Sequence, residues 1–255
     1  MKKKILFSLV FIVKGFCTYI GNPSTPALLQ EGWFFSDKNP VNVHVGGYGY
    51  VSSNEELHFQ KRYRDQSYHL SKMWGTISSG LLALNIFERL DIYVNIGSGC
   101  YRSRFFYQNQ RFEGKSKNGL FYKAGAKVVV FERGPVSFGL DAQYMIFDAK
   151  SRFLLRDKIP LIEPNLKYYF KQWQIAAALS LQIYSMIPYI GVDIRDMDFK
   201  LKRAQNIANR LEMKERHRIG VYFGSSVSMG PSIVMDTEFH LINERSATVS
   251  ATARF

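Results

Sequence analysis

The final stretch, Pro231 to Phe255, limits what the chain can fold into more than any other part. Taken two residues at a time, it separates into two faces. Ile233, Met235, Thr237, Phe239 and Leu241 fall on one, and Asp236, Glu238 and His240 on the other. After Asn243-Glu244-Arg245 the alternation resumes, with Ala247, Val249, Ala251, Ala253 and Phe255 opposite Thr248, Ser250, Thr252 and Arg254. This pattern predicts strand, tight turn, strand. The second strand ends on an aromatic residue, which suits a barrel that closes with its last strand against hydrocarbon.

The same two-residue period runs back through most of the chain. From Val41, segments of barrel-spanning length alternate with turns and loops, and about ten strands are expected, with twelve or more as the alternative. Tight turns fall at 88–89, 133–134, 184–186 and 229–231. Long polar loops are expected at 52–75, 103–118, 148–166 and 200–215, the last with a composition that also suits a short amphipathic helix. Short turns on one rim and long loops on the other give an all-β, transmembrane, antiparallel up-and-down barrel, with periplasmic turns and extracellular loops. An even strand number returns both ends of the barrel to the short-turn side.

The beginning of the chain points to export. Met1-Lys2-Lys3-Lys4 precedes an apolar run, Ile5 to Val13, too short to span a bilayer. Residues 1–17 read as a signal peptide cut after Cys17, with a lipoprotein cysteine at Cys17 as the alternative. Residues 18–40 carry three prolines and no period, and read as an irregular leader before a barrel domain at 41–255. The expected address is the cell outer membrane.

Aromatic residues make up 15% of the chain, which suits strands and interfacial girdles. The net charge is +13, and no nucleic-acid motif accompanies it, so nucleic acid is not expected as a partner. Once Cys17 is removed, Cys100 has no partner within the chain, which leaves a free thiol or an intermolecular disulfide.

The apolar faces are Ala, Val, Ile, Leu and Phe. The opposite faces are Gly, Ser, Thr and Gln with isolated charges, and this polar face is assigned to the lumen. The lumen-lining candidates are Lys123, Lys127, Asp141, Asp193, Arg195, Arg218, Asp236, Glu238, His240 and Arg254. Confined charges of both signs must pair or hydrate. A small mixed-charge pore and a salt-bridged, nearly closed interior both fit. Asp236, Glu238 and His240 at i, i+2 and i+4 also allow a barrel-embedded hydrolase. Without a nucleophile at fixed spacing, lumen hydrogen bonding is preferred, and no enzyme, cofactor or metal site is expected.

Five segments resemble the chlamydial major outer membrane porin family: GNPSTPAL (21–28), LALNIFERLDIYVNIGSG (82–99), YKAGAKVVVFERG (122–134), YYFKQWQIAAALSLQIYSMIPYIGVDI (168–194) and FHLINERSATVSATARF (239–255). The resemblance covers about two-thirds of the mature chain in order. It implies an outer-membrane barrel, passive diffusion of small hydrophilic solutes, homotrimeric assembly and a structural role in the envelope. It also implies recognition of Phe255 by the barrel-assembly machinery. This chain is shorter than the family's archetype and lacks its many cysteines. A non-conducting structural barrel, or an adhesin binding acidic glycan through basic loops 103–118 and 200–215, is the alternative to a porin. Outer-membrane lipids complete the expected partners.

Overall fold

The computed structural model describes residues 19–28, 40–59, 71–108, 110–161, 165–204, 208–215, 218–230, 232–242 and 245–255. The expected signal peptide lies outside these residues, as does most of the leader. Among the described residues one helical turn, α1 (Thr25–Leu28), precedes thirteen strands. These are β1 (Val41–Phe59), β2 (Ser71–Ile86), β3 (Leu90–Tyr107), β4 (Gln110–Ser116), β5 (Gly119–Arg133), β6 (Val136–Arg156) and β7 (Ile159–Leu161). They continue as β8 (Lys167–Leu181), β9 (Met186–Ala204), β10 (Ala208–Glu215), β11 (Ile219–Ser228), β12 (Ile233–His240) and β13 (Arg245–Arg254).

Ten of these strands form a closed antiparallel ring in the order β1-β2-β3-β5-β6-β8-β9-β11-β12-β13. Closure comes from β13, which pairs with β1 from His44↔Arg254 to Ser53↔Arg245. The Phe255 N–H continues this ladder by donating to the Val43 carbonyl at 2.8 Å. Every strand in the ring thus has two neighbours and no free edge, as a barrel requires.

The four regions expected as long loops are largely strand instead. β1 and β2 run on into 52–59 and 71–75, β3 and β6 continue to Tyr107 and Arg156, and β9 continues to Ala204. In 103–118, β4 fills the space between β3 and β6 beyond the end of β5. In 200–215, β10 bridges β9 and β1 beyond the ends of β11–β13, where a loop with helical composition was expected. Long excursions leave unpaired backbone groups, and the overhanging edges of β3, β6, β9 and β1 supply partners. The pairings therefore close a second circuit of eight strands, β1-β2-β3-β4-β6-β8-β9-β10, on the long-connection side.

Side chains divide by parity as the sequence predicts. Leu82, Leu84, Ile92, Val94, Ile96, Ile175, Leu179, Ile190, Val192 and Ile194 point outward and are between 44% and 60% exposed. Inward residues are almost without exposed surface. At the eight-strand level the interior is aromatic and apolar. Tyr101, Phe147 and Phe170 meet with ring centroids 4.4, 4.7 and 5.1 Å apart, and Phe105 stacks on Phe112 at 5.2 Å. Tyr168, Phe199, Leu201, Leu211 and Met213 fill the rest, each at most 1% exposed.

Nearer the short turns, two inward glycines admit close neighbours. A Cβ on Gly191 would lie 2.4 Å from the Tyr222 ring, and one on Gly139 would lie 2.7 Å from the Pro23 backbone. Gly191→Val is therefore expected to destabilise the barrel by about 1–3 kcal/mol, the usual cost of overpacking. Adding Tyr222→Ala should restore part of that loss. Urea unfolding of the refolded barrel in detergent micelles, run as a double-mutant cycle, reads both effects.

Candidate functional site: the occupied lumen

Inside the ten-strand ring the lumen holds a piece of the chain itself. Residues 19–28, the described part of the leader, run through it, and Tyr19, Ile20, Asn22, Ser24 and Thr25 are each at most 7% exposed. The inward face of β12 supplies the main grip. Glu238 accepts hydrogen bonds from the Ile20 and Gly21 backbone N–H groups, at 3.0 and 2.8 Å on its two carboxylate oxygens. Gly21 has φ +72°, which favours glycine and lets both N–H groups turn to one carboxylate. Two residues earlier, Asp236 accepts the Tyr19 hydroxyl at 2.6 Å and the hydroxyls of Ser226 and Ser250 at 2.5 and 2.9 Å. Two residues later, His240 Nε2 lies 2.9 Å from Glu238 Oε1.

Other strands also hold the segment. Lys123 on β5 donates to the Tyr19 carbonyl at 2.8 Å, and its ammonium lies 4.9 Å from the Tyr48 ring centre. Asn22 donates to Ser226 at 3.1 Å, and Asn85 on β2 donates to the Pro26 carbonyl at 3.2 Å. Ser24, Ser137 and Ser180 form a hydroxyl cluster at 2.7–2.9 Å. A backbone segment with only one helical turn of its own is thus satisfied largely by lumen side chains.

Of the ten lumen candidates, nine are inside and buried: Lys123, Lys127, Asp141, Asp193, Arg195, Asp236, Glu238, His240 and Arg254. Most of them join one network with residues that periodicity alone did not single out. Tyr93 donates to Asp141 at 2.9 Å, and its hydroxyl oxygen lies 3.1 Å from Gln143 Oε1. Gln143 donates to Gln174 at 2.8 Å, and Gln174 donates to Asp193 at 3.1 Å. Asp193 lies 3.8 Å from His240 Nδ1, and Lys127 lies 5.5 Å from the Tyr19 ring centre. Arg254 reaches Glu88 in the β2–β3 turn at 3.2 Å.

Arg218 is the exception and corrects the expectation for it. It precedes the first residue of β11, and its side chain is 61% exposed and pairs with Asp196 at 3.2 Å. Its parity is inward, but beyond the last ladder pair nothing holds the side chain to the lumen face. Cys100 is half-buried on the outward face of β3, its sulfur 3.5 Å from the Thr76 hydroxyl, and among the described residues it is a free thiol.

This arrangement binds backbone. A cavity of about 30 Å³ beside His44, Asp91, Asn95 and Lys127 has room for water and nothing larger. Asp236, Glu238 and His240 have no surface to offer a substrate. Among the described residues no group of three His, Cys, Asp or Glu is placed to hold a metal ion.

Glu238→Ala would leave the Ile20 and Gly21 backbone N–H groups buried without their acceptor. The expected cost is about 2–6 kcal/mol, since each of the two unmet buried donors costs about 1–3 kcal/mol. It should also free the lumen segment. In a Cys100→Ser background carrying Ser24→Cys, maleimide labelling is expected to be slow with Glu238 in place and at least tenfold faster with Glu238→Ala.

No family model and no curated protein matches the chain. Solved structures with a similar course include the outer membrane protease OmpT from Escherichia coli, at 8% identity and TM-score 0.49, covering 85% of this chain and 98% of that one. The translocator domain of the autotransporter NalP from Neisseria meningitidis gives 12% identity and TM-score 0.44, covering 86% and 90%. Ail, the attachment invasion locus protein of Yersinia pestis, gives 10% and 0.38, covering 84% and 99%.

Proposed function

We propose that this chain is an outer-membrane β-barrel whose resting state is closed, acting in envelope structure or at the cell surface in preference to open diffusion. The observation that carries this reading is the filled lumen. A channel wide enough for solute leaves its lining in contact with water. Here the inward residues of both circuits are buried, down to 0% for Arg195, Arg254, Phe105 and Phe199. Two separate barriers lie in series: residues 19–28 in the ten-strand ring and the aromatic layer in the eight-strand circuit.

The membrane setting is supported by the inside-out distribution of polarity. An outward belt of Leu, Ile and Val around a charged interior costs free energy in water and gains it in hydrocarbon. Short turns at 87–89, 134–135 and 184–185 against long strand extensions at the other rim support an orientation with the turns in the periplasm. The basic-apolar beginning of the sequence and the resemblance to chlamydial major outer membrane porins support export and the same membrane. Porin activity and trimeric assembly, which that resemblance implies, would require both barriers to move aside. Catalysis is not part of the proposal, because the buried Asp236, Glu238 and His240 are engaged by the lumen segment and by one another.

Planar-bilayer recording of the refolded chain tests the closed state. The expected result is a quiet membrane under applied voltage, with folding verified by heat-modifiable mobility. Regular, discrete conductance steps from the native chain would overturn the closed reading and restore the porin one. A variant lacking residues 19–28 is expected to stay non-conducting, because the aromatic layer around Tyr101, Phe147 and Phe170 still spans the lumen.

A further inference from the structure

On its outward face, beyond the apolar belt and towards the long-connection rim, the barrel sets cations directly opposite cations. Arg102 on β3 faces Lys115 on β4. Lys150 on β6 faces Lys167 on β8, and Lys167 in turn faces Lys202 on β9. The Lys117 N–H donates to the Lys150 carbonyl, which joins the two runs into one row across five strands. Like charges directly opposite on a sheet repel, so such a row gains stability from counter-charge.

Most of the acids nearby are committed elsewhere. Glu113 is shared by Arg104 and Arg111, and the Arg111 hydrogen bond holds its carboxyl below the usual carboxylate range. Asp198 is shared by Lys171 and Lys214, and Glu212 is held by Lys200. Asp148 faces outward one pair nearer the belt, opposite Tyr169. Among the described residues no carboxylate pairs with Arg102, Lys115, Lys117, Lys150 or Lys167. Lys202 is steadied by the Tyr169 ring, 3.8 Å away.

Height chooses the counter-charge. Tyr144 and Trp173 face each other on the outer surface, exposed and next to Ile175, as interfacial aromatics do at a hydrocarbon border. Lys150 and Lys167 each lie six residues further along their strands, about 20 Å along the strand and about 15 Å along the barrel axis at ordinary tilt. A phospholipid headgroup occupies only about 5–7 Å outside the hydrocarbon. A phosphorylated saccharide headgroup stands higher and carries several negative charges on adjacent sugars.

We propose that this row is a binding surface for the phosphorylated saccharide headgroup of an outer-leaflet glycolipid. The Lys115, Lys150, Lys167 and Lys202 ammonium groups take its phosphates, and Arg102 adds a planar donor at one end. The surface takes its outer-membrane setting from the reading above. It needs no closed lumen, so a titration tests it separately from conductance.

The test is titration of the refolded full chain in neutral-detergent micelles with short-chain (rough) lipopolysaccharide, followed by tryptophan fluorescence. Lys115→Gln, Lys150→Gln, Lys167→Gln and Lys202→Gln together are expected to weaken binding at least tenfold, and Lys150→Gln with Lys167→Gln alone by a smaller factor. A control pair on the other rim, Arg89→Gln with Arg133→Gln, should leave binding unchanged. Native protein should bind the dephosphorylated lipopolysaccharide at least tenfold more weakly, an arm that needs no variant. Equal binding of the two lipopolysaccharides, full retention by the quadruple variant, or equal loss in the control pair would each overturn the proposal. So would saturation of the same response by inorganic phosphate at matched phosphate concentration, which would mark a free-anion site.

Discussion

The ladder between β13 and β1, ten residue pairs from His44↔Arg254 to Ser53↔Arg245, is what the rest of the molecule depends on. Without it, the sheet has two long edges of unpaired N–H and C=O groups, which hydrocarbon does not tolerate. With it, every strand of the ring is paired on both sides, and parity becomes binding. A slip of one residue would carry Asp236, Glu238 and His240 to the outer belt and bring Phe239 and Thr237 inside. A basic side chain facing lipid at the bilayer midplane costs about 2–4 kcal/mol, and acids somewhat less, so the register is held by several such penalties at once.

Strand number then decides how the interior is filled. An eight-strand circuit encloses a space that side chains alone can occupy, and there Tyr101, Phe147, Phe170 and Phe199 pack ring on ring. The ten-strand ring is wider. Its side chains reach one another only in part, and residues 19–28 take up the remaining space. The two fillings differ in chemistry for that reason. Packed rings satisfy themselves, whereas an irregular backbone needs donors and acceptors, and Glu238, Asp236, Lys123 and Asn85 supply them.

Much of this could be read along the chain, and some of it could not. The lumen positions Lys123, Lys127, Asp141, Asp193, Arg195, Asp236, Glu238, His240 and Arg254 follow from parity alone, because a strand's faces alternate whatever its neighbours are. Arg218 shares that parity but lies just outside the ladder, where parity stops constraining a side chain. The long connections read as loops because their charges hide the alternation. Leu211 and Met213 do alternate with Arg210, Glu212 and Lys214, yet two apolar residues on an eight-residue strand resemble a helix by composition. The lumen segment was the hardest to foresee. Its grip joins Ile20 to Glu238, 218 residues apart, and nothing local in GNPSTPAL marks it as buried. Gly139, a glycine on an inward face, leaves the room that the Pro23 backbone takes up.

The sequence by itself determined the two-residue period of the strands, the places of the tight turns, and which side chains share a face. Each of these is set by neighbours two residues away or by the residues of a single turn. Only the tertiary structure decided what occupies the lumen, that the connections extend the wall as β4, β7 and β10, and that Lys150, Lys167 and Lys202 stand in one row. Those outcomes depend on the barrel's radius and on register between strands. Both quantities arise only when the last strand meets the first.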